Sequence, residues 1–117
     1  MEQIFFVVTP QVVIYEEDAK IIAMSIFAMP DEMVGDFISK KPKAGKKLRL
    51  AVRNKLGIKT TPMLSYEALH MGFDKEGCFR GQPLFNAREC KRLCEMAPWL
   101  HEIKVKPEPD LEPKSEL

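Results

Sequence analysis

The chain has 117 residues, with 18 Lys and Arg against 17 Asp and Glu, for a formal net charge of +1; one domain with a single core fits that length. Apolar residues make up 45% and charged residues 30%, which excludes a disordered chain, while the near-balance of charge excludes a uniformly basic one. The balance fails in one place. Lys40, Lys41, Lys43, Lys46, Lys47, Arg49, Arg53, Lys55 and Lys59 follow one another without an intervening acid and hold half of the basic charge. That is the pattern of a protein that grips a polyanion, nucleic acid first, with one face.

In chain order, Met1 to Tyr15 is apolar but carries Glu2 where a signal peptide has positive charge. Glu16, Glu17 and Asp18 interrupt it short of a membrane span, so neither a secretory nor a transmembrane segment is expected. Ile4 to Tyr15 and Lys20 to Ala28 read as two antiparallel strands about the acidic turn. Pro10, which lacks a ladder donor, places a bulge or an edge in the first of them. Pro30 ends the second strand. Asp31 and Glu32 then open a short helix whose Met33, Val34, Phe37 and Ile38 fall at helical spacing, up to Pro42 and Gly45.

From about Lys46 to Leu56 a second helix is predicted, with Leu48, Ala51, Val52 and Leu56 on an apolar face and Lys46, Arg49 and Arg53 on a basic one. Gly57 is placed to cap it. Met63 to Ala68 reads as a third strand. Gly72, Gly77, Gly81 and Pro83 mark an irregular stretch, after which Asn86 and Glu89 form a capping box. The helix it opens runs to about Met96, with Ala87, Cys90, Leu93 and Cys94 inward and Pro98 as its stop. Trp99 to Val105 is predicted as a last strand. Lys106 to Leu117, rich in proline and acid, is expected to be an extended or disordered tail.

The cysteines Cys78, Cys90 and Cys94 are odd in number and lack the spacing of a disulfide framework, which favours a reducing compartment. Cys90 and Cys94, one helical turn apart, could hold zinc with Cys78 and His70 or His101. Without a CxxC knuckle, buried or idle thiols are the preferred reading, and no metal or cofactor is expected. No P-loop, HExxH or Ser, His and Asp ordering is present, so an enzyme is not expected.

The order strand, strand, helix, kink, basic helix, strand resembles a type II KH-like domain without its first helix. The residues resemble one family in particular, ribosome-binding factor A. Val7, Val8, Thr9 and then Val12 to Ala19 with Lys20 and Ile21 look like that family's strand, acidic turn and second strand. Arg49, Val52, Lys55, Leu56 and Ile58, followed by Thr61, Pro62, Met63 and Leu64, look like its passage from basic helix to last strand. The distance from Ala19, Lys20 and Ile21 to Ala44 and Gly45 is similar to that between its second strand and helix break. Together these matches cover roughly Val7 to Glu67.

The resemblance implies an α+β fold with a KH-like (type II) three-stranded sheet and helices on one face. Residues 1–70 would form the RNA-binding domain, 71–105 a C-terminal helical extension and 106–117 the tail. It implies backbone recognition at the break Lys41 to Lys47. Ala44 and Gly45 would let a phosphate approach, Lys43, Lys46 and Lys47 would surround it, and Arg49, Arg53, Lys55 and Lys59 would extend the track. The expected function is then small-ribosomal-subunit assembly by binding immature rRNA. Its partners would be small-subunit rRNA and ribosomal proteins, with no membrane and no small-molecule substrate. The mitochondrial matrix is the expected compartment and bacterial cytoplasm the alternative. Two other readings remain: a resident ribosomal or ribonucleoprotein component, and a helix-turn-helix DNA-binding regulator over Leu48 to Tyr66, in which Arg53 would occupy a position that wants a small side chain.

Overall fold

The computed structural model describes residues 4–100 and 102–107. Its first apolar run folds back on itself: β1 (Phe5–Thr9) and β2 (Val12–Tyr15) pair antiparallel, Phe5 opposite Tyr15 and Val7 opposite Val13, with a bulge between Val7 and Thr9. Pro10 therefore lies in the turn, where a missing N–H costs nothing.

The predicted partner strand, Lys20 to Ala28, is instead mostly helix, within α1 (Glu16–Ile26). Glu16, Glu17 and Asp18 form its first turn, where the helix dipole favours negative charge, and the Asp18 carboxylate accepts the Tyr15 backbone N–H at 2.9 Å. Ile21 to Ser25 are all buried. A helix covered on every side has no polar face to reveal its period, so its sequence is indistinguishable from a buried strand. Three more helices, α2 (Asp31–Ser39), α3 (Gly45–Leu56) and α4 (Thr61–Met71), pack around α1.

The predicted third strand, Met63 to Ala68, lies inside α4. Thr60 caps that helix, its hydroxyl accepting the Met63 N–H at 3.2 Å, and Pro62 occupies the first turn, where its missing donor is not needed. Leu64 and Ala68, four residues apart, are its buried positions. The three-stranded KH-like sheet is thus not formed among the described residues. The fold is α+β, with five α-helices and two antiparallel ribbons of two strands each among the described residues.

The second ribbon is short: β3 (Cys78–Phe79) pairs with β4 (Gln82–Pro83). Next comes α5 (Ala87–Met96), with both halves of the predicted capping box in place: Glu89 N–H to Asn86 at 2.8 Å and Asn86 N–H to Glu89 at 3.0 Å. Cys90 and Leu93 are inward as expected, but Ala87 and Cys94 are exposed. The predicted strand from Trp99 to Val105 reduces to one bridge between Phe85 and Val105. Trp99 turns back instead, its indole N–H donating to the Phe27 carbonyl at 2.8 Å.

Lys106, the first residue of the expected tail, is docked. Its N–H donates to the Phe85 carbonyl at 2.7 Å and its ammonium lies 2.5 Å from the Glu16 carboxylate. Burial works to raise the Glu16 pKa, but Lys106 and Lys20 outweigh it and hold the carboxyl below its ordinary value. The remaining tail, beyond Pro107, lies outside the described residues. Phe73, Phe79, Leu84, Phe85 and Leu93 share one buried cluster with Ile21, Met24 and Leu64, so 71–105 and 1–70 contribute to a common core. Among the described residues no helix is long and apolar enough to cross a membrane.

Candidate nucleic-acid interface

The basic run begins where α2 ends. Lys40 adopts a left-handed conformation, φ 59°, and its N–H and that of Lys41 return to the carbonyls of Asp36 and Gly35. This is the usual way a helix satisfies its last carbonyls while reversing direction. A single 3-10 turn, Pro42–Ala44, then leads into α3.

The elbow is tight because α2 and α3 meet backbone to backbone. A Cβ placed on Gly45 would lie 1.7 Å from the Asp31 carbonyl oxygen, and one on Gly35 would lie 2.5 Å from the Lys41 carbonyl oxygen. Both glycines are buried. Gly45 therefore does not open a path for phosphate, contrary to the expectation for that residue; the space its missing side chain leaves is filled by the neighbouring helix.

What the elbow presents to solvent is lysine. Lys40, Lys41, Lys43, Lys46 and Lys47 are all exposed, and none forms an ion pair with a described residue. They surround the N-terminal end of α3, whose dipole adds positive potential of its own. Lys40 belonged to the basic run but not to the expected phosphate contacts; it stands beside them on the same turn.

Of the four other expected contacts, Arg49, Arg53 and Lys55 are employed elsewhere. Arg49 is only 5% exposed. Its guanidinium lies 2.7 Å from an Asp31 carboxylate oxygen and 2.6 Å from the Met29 carbonyl, tying α3 to the start of α2, while its Nε is buried without a partner. Burial pulls its pKa below the ordinary guanidinium value, Asp31 opposes that, and Arg53 adds to it. Arg53 is half-buried and donates to the Lys59 carbonyl, fastening the turn after α3. Lys55 pairs with Asp18 at 2.6 Å and lies 5.0 Å from the centre of the Tyr15 ring. Lys59 is exposed in the turn.

That turn joins α3 to α4 through four residues, Gly57 to Thr60. Gly57 is left-handed at φ 71° and Ile58 is buried. The small residue expected four positions before the glycine is replaced by Arg53, which fits because its guanidinium reaches out to the turn carbonyl. The outward face of α4 carries Met63, Tyr66, Leu69 and His70, with the Tyr66 and His70 rings 4.7 Å apart, and no Lys or Arg.

The cysteines do not converge on a metal. His70 meets Tyr66 edge to face, His101 lies outside the described residues, and no group of three or more Cys, His, Asp or Glu among the described residues could hold a metal ion. Burial pushes the pKa of Cys78 up, with Asp74 and Glu76 adding to it, and burial does the same for Cys90, with Cys94 and Glu89 adding. Cys94 is exposed. Iodoacetamide labelling of the native chain is therefore expected to modify Cys94 first, with Cys78 and Cys90 reacting only after denaturant is added. Equal labelling of all three in native buffer, read by mass spectrometry, would contradict this burial.

Compared with known proteins, the chain matches no family model, no curated protein and no solved structure.

Proposed function

We propose that this chain is a nucleic-acid-binding protein that holds the phosphate backbone on the elbow between α2 and α3 and carries out no chemistry of its own. The observation that supports this reading is the set of exposed lysines, Lys40, Lys41, Lys43, Lys46 and Lys47, none in an ion pair with a described residue, gathered on one turn and the first turn of α3. Five like charges on so short a stretch repel one another. A bound polyanion relieves that repulsion and releases its counterions, so binding is favoured and steeply salt-dependent. Lysine contacts position a backbone without reading its bases.

RNA is the partner to test first, because of the resemblance to ribosome-binding factor A; immature small-subunit rRNA, met in bacterial cytoplasm or the mitochondrial matrix, is the form that resemblance implies. Whether such binding is transient, as in assembly, or permanent, as in a resident component, is a question of lifetime on the particle. Double-stranded DNA is the second reading, and a specific observation favours it: α3, a four-residue turn and a capped α4 follow one another as a DNA-binding helix pair requires. In that reading the lysines of α3 would meet phosphate and Met63, Tyr66 and His70 would face the groove.

The test compares wild type with a Lys43→Glu, Lys46→Glu, Lys47→Glu variant by fluorescence anisotropy, on structured small-subunit rRNA fragments and on duplex DNA. The variant is expected to bind about 10- to 100-fold more weakly, with a log–log salt slope smaller by roughly 2–3. Its circular dichroism should match wild type. Preference for RNA supports the first reading and preference for duplex the second; equal binding by the variant overturns both.

A further inference from the structure

We infer that the outward face of the β1–β2 hairpin is a contact surface for a second copy of this chain. Phe5, Val7, Val13 and Tyr15 are 57%, 50%, 44% and 41% exposed. The pairing of Phe5 with Tyr15 and of Val7 with Val13 puts all four on the same face. The opposite face, Phe6, Val8, Val12 and Ile14, packs into or against the core. A ribbon with one face in water alternates apolar and polar residues, whereas one apolar on both faces is covered on both. Lys55, 5.0 Å from the centre of the Tyr15 ring, borders the outward face.

Charge and symmetry select the occupant. A two-fold contact sets each patch against itself, so a charged patch repels its copy and an uncharged one does not. The lysine elbow fails that condition. The hairpin face meets it: its four side chains are uncharged, and of the charges that border it Lys55 is paired with Asp18 at 2.6 Å and the Arg80 guanidinium is held on the β1 edge by the carbonyls of Val7 and Val8. The four side chains offer roughly 350 Å² per copy, within the range of patches that mark contact sites and about half of the ~800 Å² each partner buries in a standard interface. That share suits the apolar centre of a homodimer, with exposed Thr9 and Gln11 at its polar border. The contact is face to face and not strand to strand along β1, because Arg80 already occupies the edge at the bulge, donating to the carbonyls of Val7 at 3.2 Å and Val8 at 3.0 Å.

This holds whether or not the elbow binds nucleic acid. The test is sedimentation velocity on nuclease-treated full-length chain over a concentration series, for wild type, Val13→Lys, and the milder pair Val7→Thr with Val13→Thr. Threonine keeps the β-branched shape, so the hairpin is retained. Wild type is expected to dimerise in the micromolar range and to stay dimeric as salt is raised. Val13→Lys should be monomeric, and the threonine pair should dissociate at least tenfold more readily. A wild type that is monomeric throughout, dimers that vanish on nuclease treatment, or variants that associate as wild type does would each overturn the assignment. Should Val13→Lys fail to fold, the wild-type and threonine results decide alone.

Discussion

Gly45→Ala is expected to cost about 3 kcal/mol or more of stability, enough to leave a domain of this size largely unfolded in mild denaturant. The methyl group would lie 1.7 Å from the Asp31 carbonyl oxygen and 2.9 Å from the Gly35 nitrogen. Both are backbone atoms inside a helix and cannot step aside as the end of a side chain could. Relief would require α2 and α3 to separate, which would also pull Arg49 from Asp31 and the Met29 carbonyl. Gly35→Ala meets the same wall from the other side, at 2.5 Å from the Lys41 carbonyl oxygen and 2.6 Å from the Gly45 nitrogen, and should cost a comparable amount. Gly57→Ala is the control. It lies at φ 71° with nothing within 4 Å of an added Cβ, so it carries only the strain of a left-handed alanine, about 1 kcal/mol. Urea denaturation of the three variants tests the order. A Gly45→Ala loss no larger than that of Gly57→Ala would show that the helices are not in backbone contact at the elbow.

The elements legible in the sequence were those with local signals. The charges of Asp31 and Glu32, the glycine stop at Gly57 and the Asn86 to Glu89 box each act within one turn of helix, and α2, α3 and α5 lie where they point. The two helices misread as strands are of another kind. Ile21 to Ala28 is apolar but for the buried Ser25, because this part of α1 is surrounded, so neither period shows. Met63 to Ala68 is too short a window to separate a strand from a helix, and the informative residues, Thr60 and Pro62, lie at its border, where they read as a loop unless taken as a cap and first turn.

The candidate site divides in the same way. Charge density is a property of neighbours in sequence, so the basic run was visible at once. Which cations remain available is decided by partners 18 residues away for Arg49 and 37 for Lys55. A glycine in a basic turn likewise reads identically whether a phosphate or another helix is to approach it; only the packing of Asp31 against Gly45 separates the two.

Arg49 offers the sharpest test of that separation, because it sits in the middle of the basic run yet faces inward. Arg49→Ala is expected to destabilise the fold by about 2 to 3 kcal/mol, the cost of losing two charge-assisted hydrogen bonds and the packing of a buried side chain. It removes the donor to the Met29 carbonyl, which lies in a residue only 2% exposed, and the tie between α3 and the first turn of α2. Asp31 is 41% exposed and can turn to water once Arg49 is gone, whereas Asp31→Ala leaves a buried guanidinium without its carboxylate, so Asp31→Ala should cost at least as much as Arg49→Ala. Arg49→Lys should recover little, since one ammonium on a flexible stem cannot reproduce the two-pronged contact with carboxylate and carbonyl. At temperatures where the variants remain folded, their affinity for nucleic acid should equal that of wild type, whereas Lys43, Lys46 and Lys47 replaced by Glu should show the reverse, with binding lost and the denaturation midpoint nearly unmoved. Measuring both quantities on both sets separates the cations that hold the elbow together from those it presents. If Arg49→Ala instead kept its stability and lost affinity, the guanidinium would belong to the surface, and the inward tie through Asp31 and Met29 would be wrong.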